Sequence, residues 1–274
     1  MGEHEELHHV DLGDGPSVVL IHGLASNLHL WDGVAWRLRE AGHRVVACDL
    51  RGHGLSPKPD GPYDVATVAG DVEALIERLG LGACLLAGQS YGGTVAMQLA
   101  AERPDLAAAV VCVDGGFVDM GGRYPEWERC RRELSPPPLE GRPLAAIRLR
   151  MRSQRAGWPE EGIAGLLACF EVREDGTVAP WLTRERHLQV LHGLWVVDAP
   201  ALWAQVAAPV LLVVAERPGS PAKGPWHDDV ERCRNVLAER TRAEVVWMEG
   251  DHDLHAQHPD QVARLLERWG RGQL

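Results

Sequence analysis

Short apolar segments that alternate with helical segments constrain the fold of this chain most strongly. The segment 64–79 is helical in pattern, because Val65, Val68 and Val72 recur on one face and Gly80 follows as a stop signal. The strand-like segments are largely apolar and lie at 17–23, 43–54, 83–90, 107–116, 208–216 and 243–250. Further helices are predicted near 28–40 and 92–102, between the last two strands, and after Pro259. Because strands that are apolar on both faces must be covered on both faces, we predict an α/β fold with a mostly parallel, doubly wound sheet.

The alternation of strands and helices is interrupted between residues 117 and 205. This segment begins with glycine and proline turns, contains the stretch SPPPLEGRP and is then mainly helical in pattern, with a short hairpin expected around Asp175-Gly176. We therefore predict a core made of residues 1–116 and 206–274, with an inserted, mainly helical cap of residues 117–205.

Charge and composition exclude several classes of protein. The net charge of the 274 residues is −11, and acidic and basic residues are mixed without a basic stripe, so we expect no nucleic-acid partner. The start of the chain lacks the basic and then apolar order of a signal peptide, and no apolar run approaches the roughly 18 residues of a membrane span. We predict a cytoplasmic protein without a membrane partner, and the sequence leaves its oligomeric state open.

The sequence GQSYG, residues 88–92, lies where a predicted strand turns sharply into a helix. Such a turn lifts Ser90 above the sheet edge, and the neighbouring glycines allow the strand and the helix to approach closely. The amides at the start of the helix favour negative charge beside the serine. A serine in a glycine-rich turn can be merely solvated, but its position at this junction favours a nucleophile for acyl transfer.

A serine nucleophile needs a base, and a histidine held by an acid normally supplies it. Of the thirteen histidines, His252 is the strongest candidate because it follows the last predicted strand, and His255 and His258 are its alternatives. These histidines, with Asp251 and Asp253, also suggest a metal site. Their spacing does not place three histidines on one helical face, and the segment is predicted to be a loop, so we expect no metal. No cofactor is expected either.

An acyl-transfer site also needs donors for the negative oxygen that forms in the transition state. His22 ends the first buried strand, and we interpret its side chain as structural. The backbone N–H of Leu24 is a candidate donor, and the N–H of Tyr91, directly after the serine, is the second.

Four motifs together resemble the α/β-hydrolase superfamily: HGLASNLHLW, DLRGHGLS, GQSYGG and GDHDLHAQHPDQVARLL. They occur in the order and spacing of that family, and the similarity extends over residues 7–116 and 205–270. The segment between these two stretches lies where the family carries its cap.

The resemblance implies Ser90 as the nucleophile, His252 as the base, and the amides of Leu24 and Tyr91 as the oxyanion hole. Arg51, His53 and Gly54 fall in a loop that the family shares mainly for structural reasons. Relatives that hydrolyse epoxides or haloalkanes use an aspartate where this chain has a serine, so an acyl-enzyme route is expected instead.

The acid of the site departs from the common family pattern. The family most often has an aspartate near the position of Pro218, but none occurs here before Asp228. A second known placement is the end of the strand after the nucleophile helix, where this chain has Asp114. We therefore predict Asp114 as the acid, with Glu216 and the pair Asp228 and Asp229 as alternatives.

The predicted cap is rich in tryptophan, and several of these indoles are candidates for an apolar substrate pocket. They are Trp127, Trp158, Trp181, Trp195 and Trp203, with Trp226 just beyond the cap. We predict a carboxylic-ester hydrolase acting on a small to medium apolar ester. The alternatives are a lactone, a thioester, a carbon–carbon bond or peracid formation with the same residues, or a ligand-binding relative with vestigial turnover.

Overall fold

A seven-stranded, mostly parallel sheet forms the centre of the computed structural model, which describes residues 4–217, 219 and 224–271. The strands of this sheet are β1 (His9–Leu12), β2 (Ser17–Ile21), β3 (Arg44–Cys48), β4 (Cys84–Gln89), β5 (Ala107–Val113), β8 (Val210–Glu216) and β9 (Ala243–Glu249). Two further strands, β6 (Phe170–Val172) and β7 (Val178–Pro180), form a separate hairpin. The sheet order is β1-β3-β2-β4-β5-β8-β9. Only β1 runs antiparallel to its neighbour among these seven strands. The predicted α/β fold with a mostly parallel sheet is confirmed.

Helices cover both faces of the sheet. The helices of the described residues are α1 (Asp32–Glu40), α2 (Val65–Arg78), α3 (Tyr91–Glu102), α4 (Met120–Arg123), α5 (Trp127–Leu134), α6 (Leu144–Gln154), α7 (Glu160–Leu167), α8 (Arg184–Trp195), α9 (Ala199–Trp203), α10 (Pro225–Ala238), α11 (Leu254–Gln257) and α12 (Pro259–Gly270). Among these, α1 and α12 lie on one face of the sheet and α2, α3 and α10 on the other. A turn of 3-10 helix, Leu28–Trp31, precedes α1. Among the described helices, none combines the length and the apolar character needed to cross a bilayer.

Alternating side chains of each strand divide the core into two layers. In β2, Val18 and Leu20 pack in the layer that contains residues of α1 and α12, whereas Val19 and Ile21 pack in the layer that contains residues of α2, α3 and α10. Because successive side chains of a strand point to opposite faces, an entirely apolar strand is what this double covering requires.

Two elements lie outside the sequence-based expectations. Strand β1 was not predicted, because it has only four residues and none of them is fully buried. Helix α11 lies in the segment 251–258, which was expected to be a loop; it is a single turn of four residues and lacks the length at which apolar periodicity can be detected.

The segment 117–205 connects β5 to β8 and contains helices α4 to α9 together with the antiparallel hairpin β6–β7. The hairpin turns at the expected place, where Gly176 has φ 77° and the carboxylate of Asp175 accepts a hydrogen bond from the N–H of Thr177 at 2.9 Å. The segment is called the inserted segment below. The indole N–H of Trp203 ties it to the loop after β5, donating to the carbonyl of Gly116 at 2.8 Å.

A buried ion pair holds the loop after β3 against α2. The guanidinium of Arg51 donates two hydrogen bonds to the carboxylate of Asp71, one of them at 2.6 Å, and both side chains are almost fully buried. The same carboxylate accepts a hydrogen bond from the N–H of Glu5 at 2.8 Å. Such a pair is strongly destabilising when one partner is removed, because the other charge remains buried and unpaired.

We predict that Asp71→Ala lowers the free energy of unfolding by about 3–5 kcal/mol, since it leaves the Arg51 guanidinium buried without a counter-ion. Urea denaturation followed by circular dichroism measures the change. The matched control is Glu128→Ala, which removes a carboxylate from an exposed pair with Arg131 and should cost less than about 1 kcal/mol. Equal effects of the two substitutions would contradict this account of the loop.

Candidate active site

The turn between β4 and α3 is strained and tightly packed. Ser90 has φ 52° and ψ −118°, a region that residues with a side chain rarely adopt. Glycines make the turn possible: a Cβ on Gly88 would lie 2.1 Å from the carbonyl oxygen of Gly92, and one on Gly92 would lie 2.4 Å from the carbonyl oxygen of Ile21. The strain and the two close approaches explain why the serine is flanked by glycines.

Asp114 follows β5, the strand next to β4, and its side chain is buried. One carboxylate oxygen accepts a hydrogen bond from the N–H of Ala215 in β8 at 2.9 Å, and the other lies 2.6 Å from Nδ1 of His252. The next residue, Gly115, packs directly against the serine turn, since a Cβ there would lie 2.2 Å from the carbonyl oxygen of Ser90. The carboxylate is therefore fixed beside the turn and aimed at the histidine.

His252 lies beyond β9, two strands away from β5, and reaches Asp114 across the end of β8. With Nδ1–H donating to the carboxylate, Nε2 of the neutral ring carries the free lone pair. The backbone of His252 is also fixed, because the side-chain amide of Gln89 donates a hydrogen bond to the His252 carbonyl at 3.2 Å. Burial acts to lower the pKa of His252, but the hydrogen bond and the charge of Asp114 outweigh it, so the pKa is raised above 6.5.

Glu216, Asp228, Asp229 and His255, which were alternatives for the acid and the base, are either exposed or engaged elsewhere. Glu216 is exposed at the end of β8, Asp228 is exposed on α10, and Asp229 is paired with two arginines. His255 is fully buried against Trp31, with the ring centroids 4.3 Å apart, and burial lowers its pKa to about 3. Pro218, near which the family most often has its acid, lies outside the described residues.

Two buried histidines hold the turn that follows β2. The Nδ1–H of His22 donates to the carbonyl of Gly23 at 2.7 Å, and its Nε2 accepts from the N–H of Leu50 at 2.9 Å. His53 accepts in the same way from the N–H of Ala25 at 3.2 Å. Burial lowers the pKa of both rings, that of His53 to about 3, so they stay neutral with one tautomer each. The side chain of His22 therefore has the structural position that its sequence context predicted.

The two residues whose backbone N–H groups are the predicted oxyanion donors lie on neighbouring turns of the sheet edge, one of them in the turn just described. Tyr91 is the first residue of α3, and Leu24 lies in the turn that His22 and His53 hold. The side chain of Leu24 packs against an apolar cluster that includes Met120 of the inserted segment.

A cavity of about 200 Å³, called the serine cavity below, brings together four of the five predicted catalytic and oxyanion residues; Leu24 is not among the residues that line it. Ser90, Tyr91, Asp114 and His252 all line it. Its other walls are mainly apolar and come from the inserted segment and α10; they include Val118, Met120, Leu134, Leu194 and Trp226.

A second cavity, of about 250 Å³ and called the flanking cavity below, is also lined by the histidine–aspartate pair. It shares Asp114, His252 and Trp226 with the serine cavity and adds Pro225 and Trp247. Trp226 thus forms a wall of both cavities.

The five tryptophans predicted to line a pocket pack elsewhere in the inserted segment. Trp127 and Trp195 contact each other with ring centroids 5.6 Å apart, and Trp203 is fully buried in the core. Trp158 belongs to a small helical cluster, and the ring of Trp181 lies under a lysine ammonium group. None of the five is among the residues that line the serine cavity. The tryptophan that lines it comes from α10.

Comparison with known proteins assigns the family. Residues 16–155 match the family described as alpha/beta hydrolase fold. The chain belongs to the α/β-hydrolase family. Among solved structures, the crystal structure of E-2-(acetamidomethylene)succinate hydrolase superposes with a TM-score of 0.79 at 24% identity, covering 97% of this chain and 95% of the other.

Two curated relatives illustrate the sequence similarity. The 2-(acetamidomethylene)succinate hydrolase of Mesorhizobium japonicum is 37% identical over 102 residues, which is 37% of this chain and 36% of that protein. Lipase LipV of Mycobacterium tuberculosis is 39% identical over 113 residues, or 41% of this chain and 42% of the lipase. The chain thus spans between about a third and two fifths of the length of the curated relatives it matches.

The substitution Asp114→Asn should lower the pKa of His252, which lies above 6.5 in the unsubstituted protein. The hydrogen bond and the negative charge that raise the pKa are weakened or lost, and burial, which lowers it, remains. Titration of the imidazole protons by NMR measures both values. His29 is the internal control, because its own hydrogen bond to Asp32 raises its pKa and should do so unchanged in the variant. A pKa of His252 that is unaffected by the substitution would show that Asp114 does not stabilise the imidazolium.

Proposed function

We propose that this protein is a serine hydrolase that cleaves small to medium apolar carboxylic esters through an acyl-enzyme. One observation carries the proposal: Ser90, on a strained turn, lines the same cavity as His252, whose Nδ1 lies 2.6 Å from the carboxylate of Asp114. This arrangement leaves Nε2 of the histidine able to accept a proton in the cavity where the serine hydroxyl lies.

In the proposed acylation step, Oγ of Ser90 attacks the ester carbonyl carbon and its proton passes to Nε2 of His252. Asp114 stabilises the imidazolium that forms, as the raised pKa of His252 requires. The amides of Leu24 and Tyr91 donate hydrogen bonds to the negative oxygen, and the positive end of the α3 dipole adds to its stabilisation.

The proposed intermediate then collapses, and His252 returns the proton to the departing alcohol oxygen. The acyl group remains on Ser90 as an ester. Water enters, gives a proton to the same imidazole and attacks the acyl carbon, and the carboxylic acid leaves when the serine recovers its proton.

The walls of the serine cavity support an apolar substrate. The charged side chain that the inserted segment contributes is Arg123, and its guanidinium lies 2.8 Å from the buried carboxylate of Asp229, so its charge is balanced. We propose that residues 117–205 act as a cap that supplies the apolar walls, over a core formed by residues 1–116 and 206–274. The tryptophans that pack its helices would contribute to substrate binding indirectly, by shaping this cap.

The same residues would also serve to cleave a lactone, a thioester or a carbon–carbon bond, or to form a peracid. Short p-nitrophenyl esters, lactones and thioesters assayed side by side would separate these reactions. A ligand-binding protein with vestigial turnover is the less supported alternative. Such a protein does not need an acid beside the histidine, yet the carboxylate of Asp114 lies at hydrogen-bond distance from His252.

We predict that Ser90→Ala lowers the turnover of p-nitrophenyl butyrate by a factor on the order of 10⁶, since the nucleophile is lost. Labelling by a fluorophosphonate probe should disappear with it. The matched control is Ser153→Ala, which removes an exposed serine on α6 and should leave both readouts unchanged. Ester cleavage that survives in Ser90→Ala would show that another group is the nucleophile.

Asp114→Asn should lower kcat about 10⁴-fold, because the histidine loses the group that sets its tautomer and stabilises its charge. Glu216→Gln, at the alternative position for the acid, should leave kcat nearly normal. Steady-state kinetics across pH 5–9 compare the two variants. In the unsubstituted protein, kcat/KM should fall at acidic pH with a midpoint above 6.5, because protonated His252 cannot accept the serine proton. A large loss in Glu216→Gln with little loss in Asp114→Asn would reverse the assignment.

A further inference from the structure

Trp226 lines two neighbouring cavities at the candidate active site. The serine cavity and the flanking cavity share Asp114, His252 and Trp226 as lining residues. Asp114 and His252 are held by their mutual hydrogen bond, so the indole of Trp226 is the shared wall that a substitution can remove without disturbing the proposed chemistry.

Three residues restrain the indole of Trp226. Pro225 precedes it at the start of α10, where its fixed φ restricts the backbone. The fully buried ring of Phe117 meets the indole edge to face, with the centroids 5.0 Å apart. The guanidinium of Arg123 lies 5.2 Å from the centre of the indole ring.

Arg123 is itself fixed by α10. Its guanidinium is 2.8 Å from the carboxylate of Asp229, which lies on the same helix three residues after Trp226. A rotation of the indole away from the shared wall would therefore break the packing with Phe117 and the contact with Arg123 together.

The volume on the serine side limits what can bind there. An apolar cavity of roughly 150 Å³ holds one benzene molecule. By that comparison the serine cavity, at about 200 Å³, accepts an apolar chain of roughly eight carbon atoms. The flanking cavity offers about 250 Å³ more; its walls are mainly apolar and include Ala215, Pro225 and Trp247, together with the charged residues Glu216 and Arg217.

We propose that Trp226 determines substrate size by closing the serine cavity, so that esters with short apolar chains are preferred. Removal of the indole joins the two cavities and allows a longer chain to pass beside the histidine–aspartate pair. This inference rests on the proposed function, because it concerns the ester substrates named there. The limit on ligand chain length can nevertheless be measured by binding, without turnover.

The test uses the full-length protein with Ser90→Ala, so that binding is measured in the absence of hydrolysis. The ligands are linear methyl ketones from 2-butanone to 2-dodecanone, which carry the chain and the carbonyl of an ester but no leaving group. Isothermal titration calorimetry gives each Kd for Ser90→Ala and for the double variant Ser90→Ala, Trp226→Ala.

In Ser90→Ala, we expect binding to tighten roughly fourfold for each added methylene up to about eight carbons and then to stop improving. In the double variant, the improvement should continue, so that 2-dodecanone binds at least tenfold more tightly than it does to Ser90→Ala. Trp226→Phe in the same background, which keeps an aromatic ring against Phe117, should give an intermediate limit and replaces Trp226→Ala if that variant fails to fold.

The matched control is Trp36→Ala in the Ser90→Ala background, because Trp36 is a half-exposed tryptophan on α1 that lines neither cavity. Its chain-length profile should equal that of Ser90→Ala. Identical profiles for the Trp226 variants and for Trp36→Ala would overturn the inference.

A second measurement separates this inference from the proposed function. With Ser90 present, kcat/KM for p-nitrophenyl esters of two to twelve acyl carbons should shift toward longer chains in Trp226→Ala. Extended ketone binding without cleavage of any ester would leave the role of Trp226 intact and contradict the proposed function. Ester cleavage with unchanged chain-length profiles would do the opposite.

Discussion

The hydrogen bond between Asp114 and His252 is the contact on which the candidate site depends. The two residues are 138 positions apart in the chain, and their side chains meet at 2.6 Å only because β5, β8 and β9 lie side by side in parallel. The amide of Ala215, at the end of β8, holds the other carboxylate oxygen. The sheet thus fixes both the position and the tautomer of the histidine, and the chemistry proposed for Ser90 follows from that tautomer.

Around this contact, polar side chains form hydrogen bonds that fix the backbone. His22 and His53 are buried and neutral, and they bind backbone groups of the turn that contains Leu24. Gln89, next to the serine, binds the carbonyl of His252. The proposed acyl-transfer chemistry would gain from such fixed surroundings, because no group would have to reorganise as negative charge forms on the substrate oxygen.

The sequence predicted the elements whose patterns are long and locally complete. Strand β4 and the turn at Ser90 follow from an apolar run that ends in glycines, and α2 follows from apolar residues at helical spacing. Strand β1 and helix α11 have four residues each, too few for a pattern to exceed chance. The sequence did not decide which of the candidate tryptophans lines the serine cavity, since a tryptophan in a helix has the same local pattern whether it is buried in the core, as Trp203 is, or faces a cavity, as Trp226 does.

The amino-acid sequence by itself determined the doubly wound sheet, the sharp turn at Ser90 and the candidates for its partners, because each depends on residues that are close neighbours in the chain. Only the tertiary structure decided that Asp114, not Glu216, contacts His252, and that Trp226 lines two cavities. Both outcomes depend on how separate strands and helices are placed against each other in three dimensions, and that placement results from the packing of the whole core, which no local stretch of residues encodes.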